Sequence, residues 1–187
     1  MYAVELFFED SFEQYVRGIW KGLKEEQISS NMYDIADIRP HITLAVYNDI
    51  PSLDTFADRS SAYFDKVPGL ELQFDALAFF PTTGTLFIGP TVTEGLIRLH
   101  AKYHEHFKDL LEFTSRFYIP GNWHPHCTLA INLSREQMLE AMNYCYKDFT
   151  PRRSKIIEAG IVKIAIESNH RCVSSPTVAA KRLFSEG

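Results

Sequence analysis

Trp123-His124-Pro125-His126-Cys127-Thr128-Leu129-Ala130 echoes an earlier stretch of the same chain, Arg39-Pro40-His41-Ile42-Thr43-Leu44-Ala45. Both contain Pro-His-x-Thr-Leu-Ala, and the remainder of each is a short apolar, β-prone run, which predicts a buried strand. Side chains two apart in a strand share a face and lie about 6.6 Å apart along it. His41 and Thr43 therefore point one way and Ile42 and Leu44 the other. The same holds for His126 and Thr128 against Cys127 and Leu129. Each strand turns a base and a hydroxyl to one side while its other face joins a core.

Outward from these stretches the chain falls into two similar halves. A strand is expected from Tyr2 to Phe8. Asp10 with Glu13 then reads as a helix-start capping pair, and Phe12, Val16, Ile19, Trp20 and Leu23 recur at helical spacing. A loop of mixed polarity, Gln27 to Arg39, leads into the first motif strand. A helix from Ser52 to Asp65, a break at Val67-Pro68-Gly69 and a strand from Leu70 to Phe79 follow. The second half opens with a turn at Pro81 to Gly84 and a strand from Thr85 to Ile88. Thr93 then caps a helix whose stripe is Leu96, Leu99, Tyr103, Phe107 and Leu110. The loop Glu112 to His124 precedes the second motif strand, and Ser134 with Gln137 forms a capping box for a helix packing Met138, Met142 and Cys145. Strands around Ile156 to Ile166 and Thr177 to Phe184 complete the chain. Each half is strand, helix, loop, motif strand, helix, strand. That alternation also fits a doubly wound parallel sheet, so order alone leaves the fold open.

At the two Pro-His-x-Thr stretches, 126 − 41 = 85 residues apart, the sequence resembles the 2H phosphoesterases. This family includes 2'-5' RNA ligase-like proteins and cyclic nucleotide phosphodiesterases, and its signature is one His-x-Thr/Ser motif in each half. The resemblance implies an α+β fold of two pseudo-symmetric lobes, each an antiparallel sheet with outer helices, and a central cleft between the two motif strands. It implies one domain over residues 1–187, with a first lobe of about residues 1–80, a second of about 81–187, and C-terminal strands free to cross between them. It also implies that His41, Thr43, His126 and Thr128 are the catalytic residues.

The residue types suit that role. Imidazole has a pKa of about 6.5, so near neutral pH one histidine can act as a base while its partner acts as an acid. Placed on opposite sides of a phosphodiester, one takes a proton from water or a hydroxyl and the other delivers a proton to the departing oxygen, each transfer typically contributing about 10²–10⁴-fold. Thr43 and Thr128 can hydrogen-bond the non-bridging oxygens. This chemistry calls for no metal and no cofactor. The expected partner is a nucleotide or RNA terminus bearing a 2',3'-cyclic or 2'-5' phosphodiester. Two alternatives are a 2'-5' RNA ligase and a non-catalytic module that binds a phosphorylated ligand.

Further candidates lie near the motifs. Tyr33 in the first loop, and Tyr118 and Trp123 in the second, are placed to stack a base. Arg39 shares the parity of His41 and can reach a phosphate, and His124 shares that of His126 and lines the cleft entrance. His-x-His can also bind metal, but no third ligand is evident. His100 and His104 stand four apart on a helix and are read, with His106, as a solvated helix edge. Several family members carry an Arg shortly after the second motif, where this chain has Ala130-Ile131-Asn132; Lys163, Arg171 and Arg152 are the substitutes to examine.

Composition bounds the rest. A chain of 187 residues with 45% hydrophobic and 13% aromatic residues is an ordinary globular protein. No run approaches the roughly 20 apolar residues of a membrane helix, and Met1-Tyr2-Ala3-Val4-Glu5 lacks the basic start of a signal peptide, so a cytoplasmic protein without a membrane is expected. Cys127, Cys145 and Cys172 suggest neither a disulfide framework nor a zinc site. A net charge of −5 argues against a general nucleic-acid coat protein. Residues 151–187 nevertheless carry seven basic residues against three acidic ones, read as a solvated face or a phosphate-facing rim. No obligate protein partner is evident.

Overall fold

A computed structural model describes residues 1–168 and 171–184. The chain runs β1 (Tyr2–Phe8), α1 (Asp10–Glu25), β2 (His41–Tyr47), α2 (Leu53–Phe64), β3 (Leu70–Phe80), β4 (Thr85–Pro90) and α3 (Glu94–His106). After a 3-10 turn at Lys108–Phe113 come β5 (Cys127–Ala130), α4 (Arg135–Lys147), β6 (Arg152–Lys163), β7 (Ala165–Ile166), β8 (Cys172–Ser174) and β9 (Thr177–Arg182). All seven strands of the main sheet pair antiparallel, in the order β2-β1-β6-β3-β4-β5 with β9 also on β6. That pairing removes the parallel alternative, and the helices cover one face only.

The long strand β6 serves both halves. Ile156 to Lys163 pair with β1, residues 158–162 with β9, and Arg152 to Ile156 with β3. One half-sheet is therefore β2, β1, β9 and the end of β6. The other is β3, β4, β5 and the start of β6. β3 comes from the first half of the sequence but pairs with β4 and β6.

Alternation sorts the faces. Val4, Leu6, Phe8, Ile42, Leu44, Leu86, Ile88 and Leu129 turn toward the helices, where they meet Trp20, Phe56, Leu96 and Tyr103 in one continuous core. On the other face, Ala3, Phe7, Val46 and Val162 form a small second cluster joined by Tyr118.

Most helix ends follow the sequence. Thr93 Oγ accepts from the Leu96 N–H at 3.2 Å, Ser52 caps α2, and Ser134 with Gln137 forms the full capping box on α4. The expected Asp10–Glu13 pair does not form, because α1 begins after Glu9 with no side-chain cap. Glu13 instead turns its carboxylate to Arg39.

β2 and β5 lie at opposite ends of the strand order, yet the curl of the sheet brings them together. The loop after α3 crosses to β2, where Ser115 N–H donates to Val46 O at 2.8 Å and Asn48 N–H to Phe113 O at 2.9 Å. The loop after α1 reaches the other way: Asn31 Nδ2 donates to Ile131 O at 2.7 Å, and Gln137 Nε2 on α4 donates to Ile28 O in that loop at 3.1 Å.

Candidate active site

The motif residues reach the cleft through register. Phe7 pairs with His41 and Glu5 with Thr43, so these four share one face of β1 and β2. In the other half, Ala78 pairs with Phe87 and Phe87 with Thr128, putting Thr128 and His126 on the matching face. The His126 ring is walled by Phe80 and Phe87, each at 5.1 Å. Cys127 is fully buried on the core side, and the two motif strands β2 and β5 pack against each other.

Both histidines are held alike. His41 Nδ1 lies 2.6 Å from Arg39 O, and His126 Nδ1 lies 2.6 Å from His124 O. A carbonyl oxygen only accepts, so each Nδ1 carries the hydrogen and each Nε2 is left for a substrate. The proline inside each tripeptide explains the match. Pro40 and Pro125 fix their own φ and hold the preceding residue extended, which lays its carbonyl beside the histidine ring two positions on.

Electrostatics favours neutral rings. Burial pushes the His41 pKa down to about 4, against the Arg39 carbonyl bond and Glu13, which favour the charged form. Burial also lowers His126; its bond to His124 O opposes this, and the nearby charges of His41 and His124 add to it. The packing of β2 against β5 brings His41 within electrostatic reach of His126.

A third group was not read from the sequence. Glu5 is 3% exposed, and its Oε2 stands 3.3 Å from His41 Nδ1. Burial raises its pKa to about 8, only partly offset by Arg39, so it is largely protonated at neutral pH. Its partner on β6 is Gly160, which sets no side chain beside it. The signal was available as a lone acid inside the apolar run Tyr2–Phe8, at the parity of Ala3 and Phe7.

The other sequence candidates lie as follows. Arg39 is committed: its guanidinium bonds Glu13 at 2.7 Å and Glu158 at 2.5 Å and lies 3.9 Å above the Phe7 ring. Trp123 stacks on His100 at 4.0 Å and donates Nε1–H to Thr43 O at 2.9 Å, so one ring face and its polar edge are occupied. On the opposite motif, Trp20 Nε1 donates to Thr128 O at 3.0 Å. Tyr118 lies on the cleft-side cluster, within the electrostatic influence of Glu5. His124 is exposed near Phe80. Tyr33 is 47% exposed under Lys24 and lines a separate depression of about 420 Å³ with Arg17 and Trp20. Arg152 lies over Tyr15 and Arg171 beside Asp34, while Lys163 is exposed.

One expectation is corrected. His100 and His104 are not solvated but 2% and 8% exposed. The second loop folds over α3, so His100 bonds Tyr118 O at 2.7 Å and His104 approaches Leu44 O at 3.4 Å. Among the described residues, no group of three or more His, Cys, Asp or Glu side chains is arranged to hold a metal ion, and no helix is long and apolar enough to cross a membrane.

Comparison with known proteins agrees with this fold. TT0787 of Thermus thermophilus superposes with a TM-score of 0.62 at 14% identity, over 100% of this chain and 99% of its own. E. coli LigT, solved in complex with 3'-AMP, gives 0.61 at 14% identity over 97% and 96%. A structure described as a phosphoesterase gives 0.59 at 13% identity over 97% of each chain. No curated protein sequence matches. The family model of the 2'-5' RNA ligase superfamily matches residues 8–165. With both motifs inside that span, the chain belongs to the 2'-5' RNA ligase superfamily.

Proposed function

We propose that this protein is a phosphoesterase that opens a 2',3'-cyclic or 2'-5' phosphodiester at a nucleotide or RNA end, using two histidines and no metal. The observation that carries the reading is the matched pair of Nδ1–H bonds to Arg39 O and His124 O, which leaves both Nε2 atoms to one cleft. The similarity to LigT bound to 3'-AMP supports a nucleotide end, because a 3'-monophosphate is one product of opening a 2',3'-cyclic phosphate.

The two histidines take different roles. His41, held neutral by burial, is the base: its Nε2 takes a proton from water as the water oxygen bonds to phosphorus. The P–O bond to the ribose oxygen breaks, and His126, entering as the imidazolium that its lowered pKa makes the minor form, gives that oxygen its Nε2 proton and ends neutral. Thr43 and Thr128 donate to the non-bridging oxygens. Glu5 supports the assignment: neutral at this pH, its carboxyl oxygen can share the Nδ1–H of His41 as the ring takes up its proton, and among the described residues no carboxyl stands beside His126. With the 5'-hydroxyl of a second end attacking in place of water, the same transfers open the cyclic phosphate at its 3' oxygen and leave a 2'-5' bond, which is the second reading. The acidic excess of residues 1–150, 12 basic residues against 21, weighs against a long RNA track.

The test is turnover of a panel of nucleoside 2',3'-cyclic phosphates and a 2'-5' dinucleotide with EDTA present. Wild-type turnover should persist, and His41→Ala or His126→Ala should each lose roughly 10²–10⁴-fold. Either variant retaining wild-type rate would sink the mechanism.

A further inference from the structure

A second cavity, of about 600 Å³, lies between α2 and α3 and contains none of the cleft residues. Ordinary ligand pockets run from about 300 to 1,000 Å³. Arg59, Ala62 and Tyr63 line it from one face of α2, at i, i+3 and i+4, and Lys66 lines it from the turn just past the end of that helix. Gly95, Arg98, Leu99, Lys102 and His106 line it from one face of α3. Val67, Pro68 and Leu70 close the end where β3 begins.

Its charge is one-sided. The chain has 24 acidic and 19 basic residues, yet the twelve lining residues include four Lys or Arg and no Asp or Glu. Two of the cations are answered from outside the groove, Arg59 by Asp109 at 2.7 Å and Arg98 by Glu94 one turn before it. Lys66 and Lys102 have no ion-pair partner among the described residues. Two facing helix surfaces thus hold like charges across an open space, a repulsion that an anion removes. The walls between the cations are apolar. The Tyr63 ring is fixed against His106 at 4.9 Å and Phe107 at 5.8 Å, and Leu99 is 9% exposed. At the start of α3 the Thr93 cap takes the Leu96 N–H, so the Gly95 N–H still points out of the first turn.

We propose that this groove binds a phosphorylated small molecule of nucleotide size, with the phosphate held by Lys66, Arg98 and Lys102 and a flat apolar body against Tyr63 and Leu99. A simple carboxylate would meet the cations but leave the walls bare. A polynucleotide needs a track rather than a closed-ended groove. The site is independent of the histidine cleft, although α3 carries on its other flank His100, which holds Trp123.

The test is an amide NMR titration of the full chain carrying His41→Ala and His126→Ala, so that cleft binding stays out of the readout, with the wild type in parallel. The probes are AMP, ADP, adenosine, inorganic phosphate, octanoate and a single-stranded oligonucleotide. Saturable shifts of Gly95, Leu99 and Lys102 amides with AMP or ADP are expected, weakened roughly tenfold or more in Lys66→Glu/Lys102→Glu and with adenosine. The proposal is overturned if AMP and ADP leave these amides unmoved or if the charge reversal changes nothing. It is equally overturned if phosphate or octanoate binds as tightly as AMP, or if only the oligonucleotide binds.

Discussion

Of the two motif histidines, only His41 has a carboxyl group within reach among the described residues, and that carboxyl, Glu5, and His41 have opposed titrations. Glu5 is raised to about 8 by burial and His41 lowered to about 4. An unfolded glutamate has released its proton above its usual pKa while folded Glu5 still holds one, so Glu5 costs stability as pH rises toward 8. His41 acts the other way: the unfolded ring gains a proton below about 6.5 that the folded ring refuses, so stability falls from there toward pH 4. Between about 4.5 and 6.5 the two slopes cancel. Between about 6.5 and 8 only that of Glu5 remains, a loss on the order of 2 kcal/mol. Glu5→Gln cannot ionise and should abolish that decline, as read from urea midpoints at pH 6.5 and 8; an unchanged decline would place its source elsewhere. Activity gives a second check. With both histidines titrating below their usual range, kcat/KM should peak on the acid side of pH 6.5. Glu5 is protonated across that range and presents no charge to His41, so Glu5→Gln should leave both limbs in place.

At the scale of elements, the two motif strands are sheet edges, and edges left open invite pairing with other chains. Here each edge is closed by a tryptophan from the opposite half, Trp123 on Thr43 O and Trp20 on Thr128 O. Trp123→Phe keeps an aromatic surface on His100 but removes the donor. It should cost about 1 kcal/mol of stability and raise KM, since the second loop is held to the first motif strand by this bond. Equilibrium denaturation and steady-state kinetics check the two halves of that statement. The element pattern was legible because caps, stripes and turn residues are local. The burial of His100 and His104 was not, because the helical wheel shows which face of α3 meets the sheet but not that a loop from further along the chain covers the flank. The lost Asp10–Glu13 cap has a similar cause: a guanidinium brought from residue 39 outcompetes the local N–H for Glu13.

At the scale of the molecule, β6 joins the two halves, and at Gly160 it leaves no room for a side chain. A Cβ there would come within 2.6 Å of the Phe7 ring and 3.2 Å of Ala179 O. Gly160→Val should therefore lower stability by roughly 1–3 kcal/mol, the usual cost of overpacking. It should also reduce turnover, because Phe7 shares its face with His41. Normal stability and activity in that variant would mean that the two sides of β6 give way independently of the cleft. Gly84 is tight for a different reason. It sits at φ +59° with Leu133 O 2.4 Å from any added Cβ, so the β3–β4 turn needs glycine to accept the Leu133 N–H on its carbonyl.

The repeated Pro-His-x-Thr-Leu-Ala gave the shared parity of each histidine with its threonine and pointed to the family, while caps, apolar stripes and turn residues gave the order of elements. These follow from alternation along a strand and from spacing, which are properties of neighbours in the chain. The antiparallel sheet and the cleft between the motif strands, implied by the family resemblance, are found as expected; tertiary structure alone decided that β6 is shared by both halves and that Arg39 is taken up by Glu13 and Glu158. It also decided that Glu5 stands beside His41, and that a cationic groove opens between α2 and α3. Each of these depends on residues tens of positions apart, brought together by strand register and packing, and a charge or a carbonyl shows no preference for a distant partner until the fold has placed one there.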